Sequence, residues 1–194
     1  SMLGTLLGAV LLVLVAYTAL NLFCGFGKAN TQKLREQGYP ESLIALVEHN
    51  PETKDFVLDY PKYKGLEEID ISKEVTKGEI PHFLQWDERW GYETYGSDFL
   101  AVTGCGPTCL SMVVCGLTGD TKWNPYEVAK MAEDNGYYVD GSGSSWELMS
   151  SGAEKLGITV ANVTFDAEHI RSTLEAGQPI ICVMGPGDFK DAGH

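Results

Sequence analysis

Thr103-Gly104-Cys105-Gly106-Pro107-Thr108 is the stretch on which the reading of the fold turns. Proline has a fixed φ and no amide hydrogen, so Pro107 suits the first turn of a helix and not its interior. The apolar positions after it, Cys109, Leu110, Val113, Val114 and Leu117, recur at helical spacing, and Gly119-Asp120 closes the run. Cys105 is thereby set at a helix N-terminus, where unpaired amides and the positive end of the dipole favour an anion. A thiol attacks only as thiolate. The glycines on either side remove bulk that would keep a carbonyl from the sulfur. That combination is what an acyl-transfer nucleophile needs. A buried structural cysteine before an ordinary turn is the plainer explanation, and the Gly-Cys-Gly-Pro setting outweighs it.

Downstream, Asn124-Pro125 caps a helix with Val128, Met131 and Ala132 on one face. Ser144 and Glu147 form a capping box for a helix running to Leu156, with Gly157 as stop. Residues 158–165 are rich in β-branched side chains and read as a strand. Asp166 caps a further helix to Gly177, and Pro179 to Met184 is an apolar run of strand length. Helices first and strands last is the order of an α+β fold. One or two strands are hard to stabilise alone, so the sheet reads as incomplete and the chain as cut short after His194.

Upstream, Trp86, Trp90, Tyr92 and Tyr95 make an aromatic-rich entry to the domain. Residues 28–78 read as a helical connector and linker. Pro40 and Asn50 open two short helices over 40–60, and 61–78 are charged and irregular. Residues 1–27 contain no Asp, Glu, Lys, Arg or His. Leu3 to Phe26 is 24 apolar-rich residues, roughly 35 Å as a helix, which is bilayer thickness. The expectation is an uncleaved single-pass anchor over 3–26, because a signal peptide would be shorter with a basic start. Lys28, Lys33 and Arg35 after the span argue, taken alone, for a cytoplasmic domain. The localisation expected for the whole is membrane-anchored with the catalytic domain extracytoplasmic.

Three segments carry a resemblance. Gly104-Cys105-Gly106-Pro107-Thr108 with Leu110, Met112 and Val113 is one. The others are Ile80 through Trp90, and Gly185-Pro186-Gly187-Asp188-Phe189 to Gly193-His194. Over about residues 80–194 the chain resembles the bacteriocin-processing (peptidase C-39-like) cysteine peptidase domain family. The resemblance implies a papain-like cysteine peptidase fold over 79–194, with the sheet incomplete. It implies Cys105 as nucleophile and His194 as general base. It also implies Gln85 as the side chain that helps bind the oxyanion with the Cys105 amide. The acidic third member would follow His194. Asp188 reads as a turn residue, His49 and His169 as solvated, and His82 as a packing residue.

The formal charge of −13 excludes a phosphate-tracking nucleic-acid surface. Five cysteines are too few and too dispersed for a disulfide framework. Cys109, Cys115 and Cys182 fall in apolar patterns and read as core. Cys105 and Cys109 with a histidine make a weak metal site, because no second close ligand pair exists. No cofactor and no metal are expected. The expected activity is hydrolysis of a peptide or amide bond in a peptide or protein substrate, through a Cys105 thioester. Two alternatives share the residues. One is an amide or acyl transferase using the same Cys–His pair. The other is a non-catalytic papain-fold binding module with the aromatic stretch 86–95 as its recognition surface.

Overall fold

The computed structural model describes residues 28–187. They divide between two compact units that meet in sequence at Lys62 and Tyr63.

The first unit is helical. α1 (Lys28–Glu36) and α2 (Glu41–His49) are joined by a tight turn, and a 3-10 turn (Pro51–Thr53) leads into α3 (Lys54–Asp59). Leu34, Leu43, Ile44, Val47, Phe56 and Val57 are buried, the apolar face expected of a helix pair over 40–60. Pro40 precedes α2 as expected. Asn50 stands at the N-cap position of the 3-10 turn as expected, and its carbonyl accepts from Thr53 N at 3.0 Å, but its side chain makes no cap bond there. The side-chain amide instead donates back to Leu46 O at 3.1 Å and closes α2. Arg35 pairs with Glu41 at 3.1 Å across the turn.

The second unit begins earlier than the expected entry at Pro81. Ile71 is fully buried in its core, with Ile69 and Val75 packed alongside, so residues 63–78 belong to this unit. The ribbon β1 (Thr94–Tyr95) and β2 (Asp98–Phe99) pairs Thr94 with Phe99 and Tyr95 with Asp98. It leads through α4 (Leu100–Thr103) to α5 (Cys105–Thr118) and α6 (Pro125–Asp134). A second antiparallel ribbon, β3 (Tyr138–Val139) and β4 (Gly143–Ser144), follows. After it come a 3-10 turn (Trp146–Met149), α7 (Ser151–Lys155) and α8 (Ala167–Glu175).

α5 and α6 form the centre of the unit. Leu110, Val114 and Cys115 meet Val128, Ala129 and Ala132, and Trp90, Tyr95, Leu100 and Leu148 close over them. Ser111 Oγ donates to Trp123 O at 2.6 Å, and Cys115 Sγ donates to Asp120 O and Trp123 O, each at 3.3 Å. These bonds tie α5 to the loop before α6. Of the entry aromatics, Trp90 and Tyr95 are part of this core, Tyr92 is also buried, and Trp86 is half-buried.

The papain-like α+β fold is not what forms. The described residues are mostly helical, and their only β-structure is two separate two-stranded ribbons. Residues 158–165 and 179–184, both expected as strands, form no strand and pair with none among the described residues. Their backbone amides and carbonyls face no ladder, and a strand is stable only as part of one. Ile158, Val160 and Ile181 rest against the core edge, while Phe165 and Val183 are exposed.

The membrane reading is also corrected. No helix among the described residues is long and apolar enough to cross a membrane. The longest of them, α5 with 14 residues, spans only about 21 Å. Residues 3–26, where the anchor was expected, lie outside the described residues. The preceding transmembrane helix and the single-pass, membrane-anchored localisation are therefore without support and are not retained.

Candidate active site

The junction of α4 and α5 is where the second unit brings its reactive groups together. Gly104 closes α4 by donating to Leu100 O at 2.8 Å. Its own carbonyl then accepts from Thr108 N at 3.0 Å and Thr108 Oγ1 at 2.8 Å, which starts α5. Cys105 is the first residue of that helix, as expected from Pro107. Both ribbons press on the junction. Thr103 Oγ1 donates to Tyr95 O on β1 at 2.8 Å. On the other side, a Cβ at Gly106 would stand 2.6 Å from Ser144 Oγ on β4. Only a glycine admits β4 this close to the helix start. Tyr95 and Ser144 then meet, hydroxyl to hydroxyl, at 2.8 Å.

Cys105 is half-buried. Burial pushes its pKa above the ordinary thiol value, while the backbone N–H groups of Gly106 and of Cys105 itself draw it down by less. The expectation that the helix mouth alone keeps the sulfur ionised is thus reversed in sign, because desolvation penalises the charged form. Cys109, one turn on and also half-buried, is raised by burial first and then by the like charges of Cys105 and Cys182. Cys115 is buried and pushed up to about 11 by desolvation. Tyr95 is fully buried and its phenol is pushed up to about 12, again mainly by burial.

Gln85 lies near this junction but is occupied. Its Nε2 donates to Ala101 O at 2.9 Å and Leu100 O at 3.2 Å, which uses both amide hydrogens on α4 carbonyls. In this arrangement it fastens the segment before the nucleophile, with no donor left for an oxyanion. His194 and Asp188 lie outside the described residues. His49 and His169 are exposed, as expected, and His82 is exposed where packing was expected. Cys182 is exposed, because the strand that would have buried it does not pair. Among the described residues no group of three His, Cys, Asp or Glu could hold a metal ion.

Two residues at this junction escaped the sequence reading. Tyr95 was read only as part of an aromatic run, and Ser144 as the start of a capping box. In the structure Ser145 takes the N-cap position of the 3-10 turn, and Ser144 belongs to β4. No local signal marks a hydroxyl that acts across 49 residues of chain. Comparison of the chain with family models, with curated proteins and with solved structures finds no match.

Proposed function

We propose that the chain carries a cysteine-nucleophile site that hydrolyses a peptide or amide bond through a thioester on Cys105. The observation that carries this reading is the half-buried sulfur on the first turn of α5, with two backbone amides aimed at it and a glycine on either side. The resemblance of the Gly-Cys-Gly-Pro-Thr stretch to cysteine peptidases adds to it.

In this mechanism the thiol proton passes to a base, for which His194 is the candidate. The sulfur attacks the carbonyl carbon, and the carbonyl oxygen takes up the negative charge. Collapse breaks the C–N bond, the amine leaves with the proton, and water then hydrolyses the thioester. The raised thiol pKa makes that base essential at neutral pH, since little thiolate forms without it.

A non-catalytic binding module is favoured by one observation, the commitment of both Gln85 amide hydrogens to α4. One experiment separates the two readings. The protein is incubated with p-nitrophenyl acetate, and acetyl adducts are mapped by mass spectrometry over time. Hydrolysis predicts an adduct on Cys105 that forms first and then turns over, and its loss in Cys105→Ala. Acetylation spread evenly over cysteines and lysines, unchanged in that variant, would remove the catalytic reading. Products formed with added amine acceptors distinguish hydrolysis from acyl transfer.

A further inference from the structure

The backbone amides of Cys105 and Gly106 face the sulfur, and Gln85 has no hydrogen to add to them. The Tyr95–Ser144 pair does. Two hydroxyls bring two hydrogens, and the bond between them uses one. Tyr95 is fully enclosed, and among the described residues its hydroxyl has Ser144 as its one hydrogen-bond partner. Ser144 is only half-buried. An enclosed phenol cannot leave its hydrogen without an acceptor except at a cost of about 1–3 kcal/mol. Tyr95 is therefore the donor, and the Ser144 hydrogen is the one free to point elsewhere. Ser144 Oγ stands beside Gly106, next in sequence to Cys105, at a distance only a missing side chain allows.

We propose that Ser144, held by Tyr95, is a catalytic residue that donates a hydrogen bond to the oxyanion formed when Cys105 is acylated, in the place that Gln85 was expected to fill. The proposal rests on the Cys105 reading. Tyr95 is then a positioning residue, acting through Ser144 alone. Besides Cys105, the ionisable groups that act on Tyr95 are Tyr138, whose ring meets it edge-on at 5.1 Å between centroids, and Glu133, which accepts from Gly96 N at 2.6 Å.

Two reagents test it. Acylation of Cys105 by p-nitrophenyl acetate passes through an oxyanion, and alkylation by iodoacetamide does not. Both rates are measured at Cys105 by mass spectrometry in the unaltered chain, Ser144→Ala and Tyr95→Phe. Removing an oxyanion donor is expected to slow acylation about 10- to 100-fold in Ser144→Ala, with the alkylation rate and its pH profile unchanged. Tyr95→Phe, which leaves the serine in place but unguided, is expected to lose less. Equal slowing of both reactions means a structural role and overturns the proposal, as does no change in either. Should Ser144→Ala expose Cys115 to alkylation and so prove unfolded, Tyr95→Phe decides by the same ratio. Absence of Cys105 acylation in the unaltered chain defeats the cysteine-nucleophile reading itself, an outcome distinct from acylation that is indifferent to Ser144.

Discussion

A methyl group on Gly106 would stand 2.6 Å from Ser144 Oγ and 3.0 Å from Ser144 Cβ. Serine is short, so neither atom can swing away without moving β4. Gly106→Ala is expected to cost about 1–3 kcal/mol in urea unfolding, as overpacking does, and to slow Cys105 acylation. Full stability in that variant would mean β4 is not held against α5. Cys115 offers the opposite case, a thiol with a purely packing role. It is enclosed, bonded to two carbonyls and pushed up to about 11. It should remain unlabelled by iodoacetamide in the native protein while Cys105 and the exposed Cys182 react, and the Cys105 rate should still be rising above the ordinary thiol range. Early labelling of Cys115 would contradict the packing described.

Two helices carry the same cap chemistry with different consequences. Asn124 accepts from Glu127 N at 3.1 Å at the start of α6, and Asp166 accepts from His169 N at 2.8 Å at the start of α8. α6 buries Val128, Ala129 and Ala132 against α5, whereas α8 buries no residue. Loss of the α6 cap is therefore paid by the whole second unit. Asn124→Ala should lower its unfolding free energy by about 1 kcal/mol. Asp166→Ala should leave the urea midpoint nearly unmoved and instead speed amide exchange across 167–175, because a helix without a buried face opens locally. Equal global losses from the two substitutions would show that α8 packs more firmly than its exposure implies.

For the molecule as a whole, the shifted groups make alkaline pH the sensitive side. Cys115 rises from 9.0 to about 11 and Tyr95 from 10.0 to about 12, so folding favours their protonated forms. Tyr63, half-buried and donating to Glu93, shifts the same way. Between the unfolded and folded values the native state holds more protons than the unfolded chain, and stability must fall as pH rises. Their contribution is complete below about pH 9 and is lost through about pH 11 to 12. Urea midpoints should decline across that window, and Tyr95→Phe should flatten the upper part of the decline. A midpoint constant from pH 9 to 12 would refute the assigned environments.

What the sequence determined by itself is what neighbours along the chain decide. Pro107 and the spacing after it place Cys105 at the head of α5, Asn124 and Asp166 cap where their helices begin, and the helix pair over 40–60 follows from its apolar face. These signals act within one or two turns. The tertiary structure alone decided the rest. Residues 158–165 have strand composition, but a strand exists only through bonds to a partner that sequence does not name. Desolvation by packed neighbours, not the helix end, sets the direction of the Cys105 shift. Which side chains gather at the start of α5 depends on contacts between segments far apart, which commit Gln85 to α4 and bring Ser144 to Gly106.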